Sequence, residues 1–301
     1  MLIDDFTLDA LYRELRPHAF TVAYQMLGTV SDAEDVVQDA FVRLQRAPGL
    51  EIASPKAYLT AVTARLALDR LRSARARRET YPGPWLPEPL VEPEQGLPAL
   101  SGSRALSMAF LVLLEVLAPV ERAVFVLRDV FELEYAQIAQ IVDKTADNCR
   151  QIAARARRRI EANQSRSMPL VQGRDVLAQR FFEAFEAGDT DALLALLTTD
   201  VAFHGDGGGK ARGFPRPIRG RDNVARLLTG MSPLLRSLCA RLERASVNHE
   251  PGAVFRDAHD RLINVWSVEM VEGARVRAIR SIINPDKLRH LAPLSELALR
   301  S

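Results

Sequence analysis

The chain has 301 residues, 48% of them hydrophobic, which is enough for two or three cores and excludes a disordered protein. Its formal net charge of +2 hides an uneven distribution, because arginines crowd into Arg70–Arg78 and Arg150–Arg159 and leave basic footprints suited to phosphate. Two isolated cysteines, Cys149 and Cys239, give neither a zinc motif nor a disulfide framework. No apolar run is long enough to cross a membrane, and the start, with Asp4 and Asp5, lacks the basic region of a signal peptide. The expectation is a cytoplasmic protein with no cofactor, no metal and no membrane contact.

Residues 6 to about 80 have helical periodicity. Leu8, Leu11, Tyr12 and Leu15 recur at helical spacing, and the pattern continues past Pro17 to Gly28. Ser31 and Glu34 have the spacing of a capping box for a second helix. Its apolar face is Val36, Val37, Ala40, Phe41 and Leu44, and Asp32, Glu34, Asp35 and Asp39 form an acidic face. Ser54-Pro55 opens a third helix with a serine cap and a first-turn proline. Tyr58, Leu59, Val62 and Leu66 are its core stripe, and its far end is basic.

Six prolines between Pro82 and Pro98 exclude a long helix over residues 81–103. Trp85 and Leu86 are unusual in such a connector and imply either packing or a partner.

Residues 104–165 are helical again. Leu106–Leu117 is a strongly apolar helix, and Pro119 opens the next. A short helix, Tyr135–Val142, then a turn at Asp143-Lys144 and a helix capped by Thr145 make a helix-turn-helix arrangement. Cys149, Ile152, Ala156 and Ile160 form the inner stripe of the second helix. Asn148, Arg150, Gln151 and Arg155 lie away from it, suited to base edges and phosphates, and Arg157, Arg158 and Arg159 follow for the backbone.

After a polar linker, residues 170–301 change character. Val176–Phe185 and Asp191–Leu197 are amphipathic helices, and Val201–His204 is a strand leading into the loop Asp206–Lys210. Asn223–Leu228 and Pro233–Leu238 add short helices. Strands follow at about 242–248, 253–257, 261–270 and 275–283, with turn residues such as Pro251-Gly252 and Glu272-Gly273 between them. Helices followed by an antiparallel sheet give an α+β layout.

Three stretches together resemble the extracytoplasmic-function sigma factors. Ser31 to Phe41 resembles the region-two helix that binds the polymerase clamp. Ser54 to Leu59, continuing through Ala67–Arg72, resembles the part that melts and reads the minus-ten element. Tyr135–Ala139 through the basic helix resembles region four, which reads the minus-thirty-five element. Three further strings, Trp85-Leu86-Pro87-Glu88-Pro89, Asp206-Gly207-Gly208-Gly209-Lys210 and Asn284-Pro285-Asp286-Lys287-Leu288, resemble a subgroup with a SnoaL-like C-terminal extension.

The resemblance implies two all-α domains, a region 2 bundle over 1–80 and a region 4 helix-turn-helix over 104–165. A proline-rich linker over 81–103 joins them, and a SnoaL-like cone-shaped α+β barrel covers 170–301. It implies core RNA polymerase and promoter DNA as partners. Asp32, Glu34, Asp35, Gln38 and Asp39 then face polymerase. Arg65, Asp69, Arg72, Arg75, Arg77, Arg78, Thr145, Asn148, Arg150, Gln151, Arg155 and Arg158 face DNA. It also implies that the extension regulates the sigma regions in cis through the three strings. Many relatives carry asparagine where Arg65 stands, which bears on how the minus-ten bases are read.

Taken by themselves, the residues leave duller readings open. Asp206–Lys210 is also an ordinary hairpin loop, and it is not a phosphate-binding P-loop, because Ala211 follows Lys210. Docking of the Trp85 segment on that loop is expected to pair Lys210 and Asp206 with Glu88 or nearby charges. A helix-turn-helix repressor with an effector domain is an alternative, as is a small-molecule enzyme in the extension, with His204, Asp206, His249, His259 and Trp266 around a pocket. An unknown small-molecule ligand at the barrel mouth is a further possible partner.

Overall fold

The computed structural model describes residues 5–46, 54–93, 106–163, 173–211, 213–271, 273 and 275–296, with the side chains of 5–8 and 74–79 outside that description. The chain forms two compact units. One joins Met1–Thr80 to Phe110–Gln164, and the other joins Tyr81–Ala109 to Ser165–Ser301.

The first unit holds seven helices among the described residues: α1 (Asp5–Leu27), α2 (Val30–Gln45), α3 (Pro55–Glu79), α4 (Met108–Leu114), α5 (Pro119–Phe125), α6 (Tyr135–Val142) and α7 (Ala146–Asn163). The boundary between units falls within the first turn of α4. Leu15 and Ala19 of α1, Val37, Ala40, Phe41 and Leu44 of α2 and Leu59 of α3 make one buried cluster. α5 runs into a π-helical turn, Val126–Val130, before α6. Asp143 closes α6 in the left-handed conformation, and Thr145 caps α7 by accepting the Asn148 N–H at 3.2 Å.

α3 packs on α5 and α6 within this unit. Arg122, 1% exposed, donates Nε to the Gln25 carbonyl at 3.0 Å and pairs with Glu115. Arg65 donates to the Gln140 carbonyl at 2.8 Å, and the His18 and Phe131 rings meet edge to face.

The second unit is a seven-stranded sheet in the order β1-β4-β5-β6-β7-β2-β3, covered on one face by α8 (Arg174–Ala187), α9 (Thr190–Leu196) and α10 (Arg221–Ser237). Its strands are β1 (Val91–Pro93), β2 (Leu197–Asp206), β3 (Ile218–Arg219), β4 (Arg241–Val247), β5 (Glu250–Arg256), β6 (Leu262–Val271) and β7 (Arg275–Ile282). A short α11 (Pro285–Leu288) follows. Phe181, Phe182, Phe185, Phe203, Phe255 and Trp266 fill the space between helices and sheet.

Four local expectations are corrected. α2 begins at Val30 with Thr29 extended before it, so Ser31 already lies inside the first turn and the Ser31–Glu34 box does not form; Glu34 instead pairs with Arg16 at 2.6 Å. Residues 221–237 are one helix running through Pro233, held by the buried stripe Val224, Ala225 and Leu228. The sheet is mixed, because β2 lies parallel to β7. Pro251-Gly252 is not a turn but part of β5, where a Cβ on Gly252 would stand 2.3 Å from the Trp266 carbonyl oxygen. That glycine marks a close strand approach. The turn is Asn248-His249, both at positive φ.

Candidate functional site

α7 presents Asn148, Arg150, Gln151, Arg155 and Arg158 on one exposed face, while Cys149, Ile152, Ala156 and Ile160 are buried beneath it. That geometry leaves side chains of the right chemistry open for a groove. Arg157 and the exposed Arg159 are instead tied up in ion pairs, with Asp129 at 2.7 Å and Glu121 at 2.6 Å. On α3, Arg65, Asp69 and Arg72 are exposed, with Arg72 paired to Asp69 at 3.2 Å. The side chains of Arg75, Arg77 and Arg78 lie outside the described residues.

The acidic face of α2 is gathered by one cation. Arg70 lies 3.1 Å from Asp32, 3.0 Å from Asp35 and 3.9 Å from Asp39. Burial opposes its charge, but the hydrogen bonds to Asp35 and Asp32 outweigh that and raise its pKa. Gln38 is exposed on the same helix.

The three remaining strings meet at the end of β2. Asp206, fully buried, accepts the Tyr81 hydroxyl on Oδ1 at 2.5 Å and the Leu86 N–H on Oδ2 at 2.8 Å. Lys287 stands 2.6 Å from the same Oδ2, donates also to the Leu86 carbonyl, and lies 4.2 Å from the centroid of the Trp85 ring. Asn284 donates to the Tyr81 hydroxyl at 2.7 Å and caps α11 by accepting the Asp286 N–H. Pro87, Glu88, Pro89 and Leu288 are buried, and Pro285 opens α11. The connector thus lies on the C-terminal domain, the backbone bonds of Leu86 supplied by a buried ion pair.

This approach explains Gly208 and Gly209, and the tightness of the loop itself explains Gly207. Gly208 has φ +61, and a Cβ there would sit 2.2 Å from Asn284 Nδ2. On Gly209 it would sit 2.7 Å from Pro82, and on Gly207 2.4 Å from the Ala211 carbonyl oxygen. Of the expected pairings with Glu88 or nearby charges, two are with nearby charges: Asp206 with Lys287, and Lys210 with Asp286. Glu88, within the connector, is buried. Tyr81 carries its hydroxyl proton far above the ordinary phenol range, through burial first and then the Asp206 charge.

The residues weighed as an enzyme site do not converge. Trp266 is 0% exposed among Phe255, Phe185 and Phe203, with centroids 4.8, 4.9 and 5.7 Å away. Asp206 is committed to the connector. His249 and His259 lie in the turns at opposite ends of β5, roughly 20 Å of strand apart. His204 is held neutral, its pKa lowered to about 4 by burial and then by Arg280.

Tyr81, Asn248, Glu250 and His290 carry connector contacts that sequence reasoning did not single out. Only Tyr81 had a signal, as a second aromatic beside Trp85 in a proline-rich stretch.

Residues 11–77 match the Sigma-70 region 2 family, 107–160 the Sigma-70 region 4 family and 178–281 the SnoaL-like domain family. The chain is 38% identical over 299 residues to the ECF RNA polymerase sigma factor SigJ of Mycobacterium tuberculosis, covering 95% of this chain and 94% of that one. It is also 38% identical over 205 residues to the probable ECF RNA polymerase sigma factor SigI of the same species, covering 65% and 68%. The crystal structure of M. tuberculosis SigJ superposes with a TM-score of 0.76 at 34% identity, covering 95% of this chain and 99% of that one. No helix among the described residues is long and apolar enough to cross a membrane. With two sigma regions in order and near full-length likeness to SigJ, the chain belongs to the extracytoplasmic-function RNA polymerase sigma factors and carries a SnoaL-like domain after region four.

Proposed function

We propose that this sigma factor binds core RNA polymerase through the acidic face of α2, reads the minus-thirty-five element with α7 and the minus-ten element with α3, and is controlled in cis by its SnoaL-like domain. The observation that carries the control is the docking of the connector on Asp206 and Lys287. A free sigma factor must separate regions two and four to reach two promoter elements. Both exits of the first unit, after Thr80 and before Phe110, pass directly into residues of the second. In this conformation the exposed Arg65 is bonded to the Gln140 carbonyl, a bond that gives way when Arg65 turns to the minus-ten element.

The domain works as a docking module and not as an enzyme. Its interior is filled by aromatic side chains, and its candidate acid and base groups are scattered. That favours neither catalysis nor a small-molecule ligand. The partners are then polymerase and DNA, in the cytoplasm, where both are found.

Run-off transcription with core polymerase on DNA upstream of the protein's own gene tests this reading. The full chain is expected to start transcripts at one defined site, and Lys287→Met to change their yield at least severalfold. Absence of both transcripts and core binding overturns the sigma roles, and an unchanged yield with Lys287→Met overturns the cis control.

A further inference from the structure

The connector is held at a second place, remote in sequence from the three strings. Asn248, 2% exposed at the β4–β5 turn, grips both ends of the segment from Leu90 to Leu106. It exchanges two bonds with Leu90: its N–H donates to the Leu90 carbonyl at 2.8 Å, and its Oδ1 accepts the Leu90 N–H at 3.0 Å. Its Nδ2 donates to the Leu106 carbonyl at 3.2 Å. Glu250, 8% exposed, accepts the Ala109 N–H at 2.9 Å and is itself held by the Ser267 hydroxyl. The left-handed backbone at Asn248 and His249 turns these groups toward the connector, and Arg174 fixes the turn by donating to the His249 carbonyl at 2.9 Å.

From these contacts we infer that the Asn248–Glu250 turn is a second docking site, a latch for the region-four end of the connector, and that it opens before the Asp206 dock. The consequence for transcription rests on the cis-control reading above. At the returning end Asn248 contributes one long neutral bond and Glu250 one bond to its carboxylate. The Asp206 dock holds its segment with a buried ion pair, a phenol and an aromatic–cation contact. Bonds to ionised groups are about twice as strong as neutral ones; the Asp206–Lys287 pair makes four of them, counting the bond between the two, and Glu250 gives Ala109 one, so the latch is the weaker hold. Opening it releases Leu106 and Ala109 from the turn, and Ala109 is far enough along the chain from Pro93 for an extended reach of roughly 50 Å. Region four would then gain that freedom while the Trp85 segment stays docked.

Amide hydrogen exchange on the full chain tests the order of release. In the unmodified protein the Ala109 amide is expected to exchange at least tenfold faster than the Leu86 amide, after correction for intrinsic rates. Asn248→Gly keeps the positive φ while removing the side chain, and Glu250→Gln keeps the shape while removing the charge. Each is expected to speed Ala109 at least tenfold more and leave Leu86 unchanged. Equal rates at Ala109 and Leu86 in the unmodified protein, or variants that move neither Ala109 nor Leu90, overturn the latch. The unmodified chain decides even if both variants fail to fold. If Ala109 responds as expected but run-off yield with Asn248→Gly equals that of the parent, the latch stands and the cis-control reading falls.

Discussion

Lys287 and Asp206 form an ion pair at 2.6 Å whose side chains are 6% and 0% exposed, and the same ammonium sits over the Trp85 ring. The pair is less a source of net stability than a commitment. Two charges out of water roughly repay their desolvation when together, and become costly when one is removed.

Lys287→Met therefore strands a buried carboxylate. The expected loss is about 3–5 kcal/mol, larger than a surface ion pair would give. Because the Leu86 carbonyl loses its donor too, the connector should leave the surface before the domain unfolds. Trp85 emission should shift to the red at denaturant concentrations where β-sheet circular dichroism is still intact. A single coincident transition would show that dock and domain melt as one.

Gly208→Ala probes the same site by shape alone. The left-handed backbone at φ +61 carries a cost of about 1–2 kcal/mol for any L side chain. The added methyl also meets Asn284 Nδ2 at 2.2 Å and the Tyr81 hydroxyl at 2.9 Å. Gly273 is the matched control, at φ +83 with nothing within 4 Å. Urea unfolding should find Gly208→Ala at least about 1 kcal/mol worse than Gly273→Ala, the excess being overpacking. Equal losses would mean that the loop moves aside freely.

Much of this arrangement was legible in the residues. Tyr135–Val142 and the Thr145 cap follow from apolar spacing and cap chemistry, and both stand where the pattern put them. The core stripe Cys149, Ile152, Ala156 and Ile160 does too. The partners of Asp206 were not legible, because a buried pair forms between residues 81 positions apart and no local rule selects Lys287 from among the chain's 40 lysines and arginines. Pro251-Gly252 misled for a related reason: a glycine demanded by a facing strand looks the same in sequence as one demanded by a turn. Asn248 escaped notice because its left-handed backbone and its three bonds to the connector are both products of tertiary structure.

Arg122 tests the packing of region two on region four. It is 1% exposed, and its guanidinium ties Gln25 of α1 to Glu115 of the α4–α5 turn. Arg122→Ala removes a buried cation, leaves Glu115 without it and opens a cavity, at a cost on the order of 3–5 kcal/mol. Arg65→Gln, at an exposed single bond, should cost no more than about 1 kcal/mol. Small-angle scattering should then show a larger radius of gyration for Arg122→Ala than for Arg65→Gln. The same radius for both would mean that other contacts hold the two regions together.

His204 predicts the acid response of the second unit. It lies on β2 in register with Arg280 of β7, and burial followed by Arg280 and Arg219 lowers its pKa to about 4, against the ordinary 6.5. Between those values the unfolded chain takes up a proton that the folded one refuses. Stability from this group is therefore fully present above pH 6.5 and lost as pH falls through 4, by about 1.4 kcal/mol per pH unit at most. Glu250 has the opposite sign, since burial raises its carboxyl above the ordinary range; the folded state binds that proton more readily, and stability from it grows as pH falls. His18, lowered by burial and by Lys56, repeats the His204 direction in the first unit. Denaturation followed by Trp85 and Trp266 emission reports the second unit. There His204→Gln should flatten the decline between pH 6.5 and 4 and His18→Gln should not. If His204→Gln leaves the slope as it was, the imidazole takes up its proton in the folded sheet and Arg280 does not exclude it.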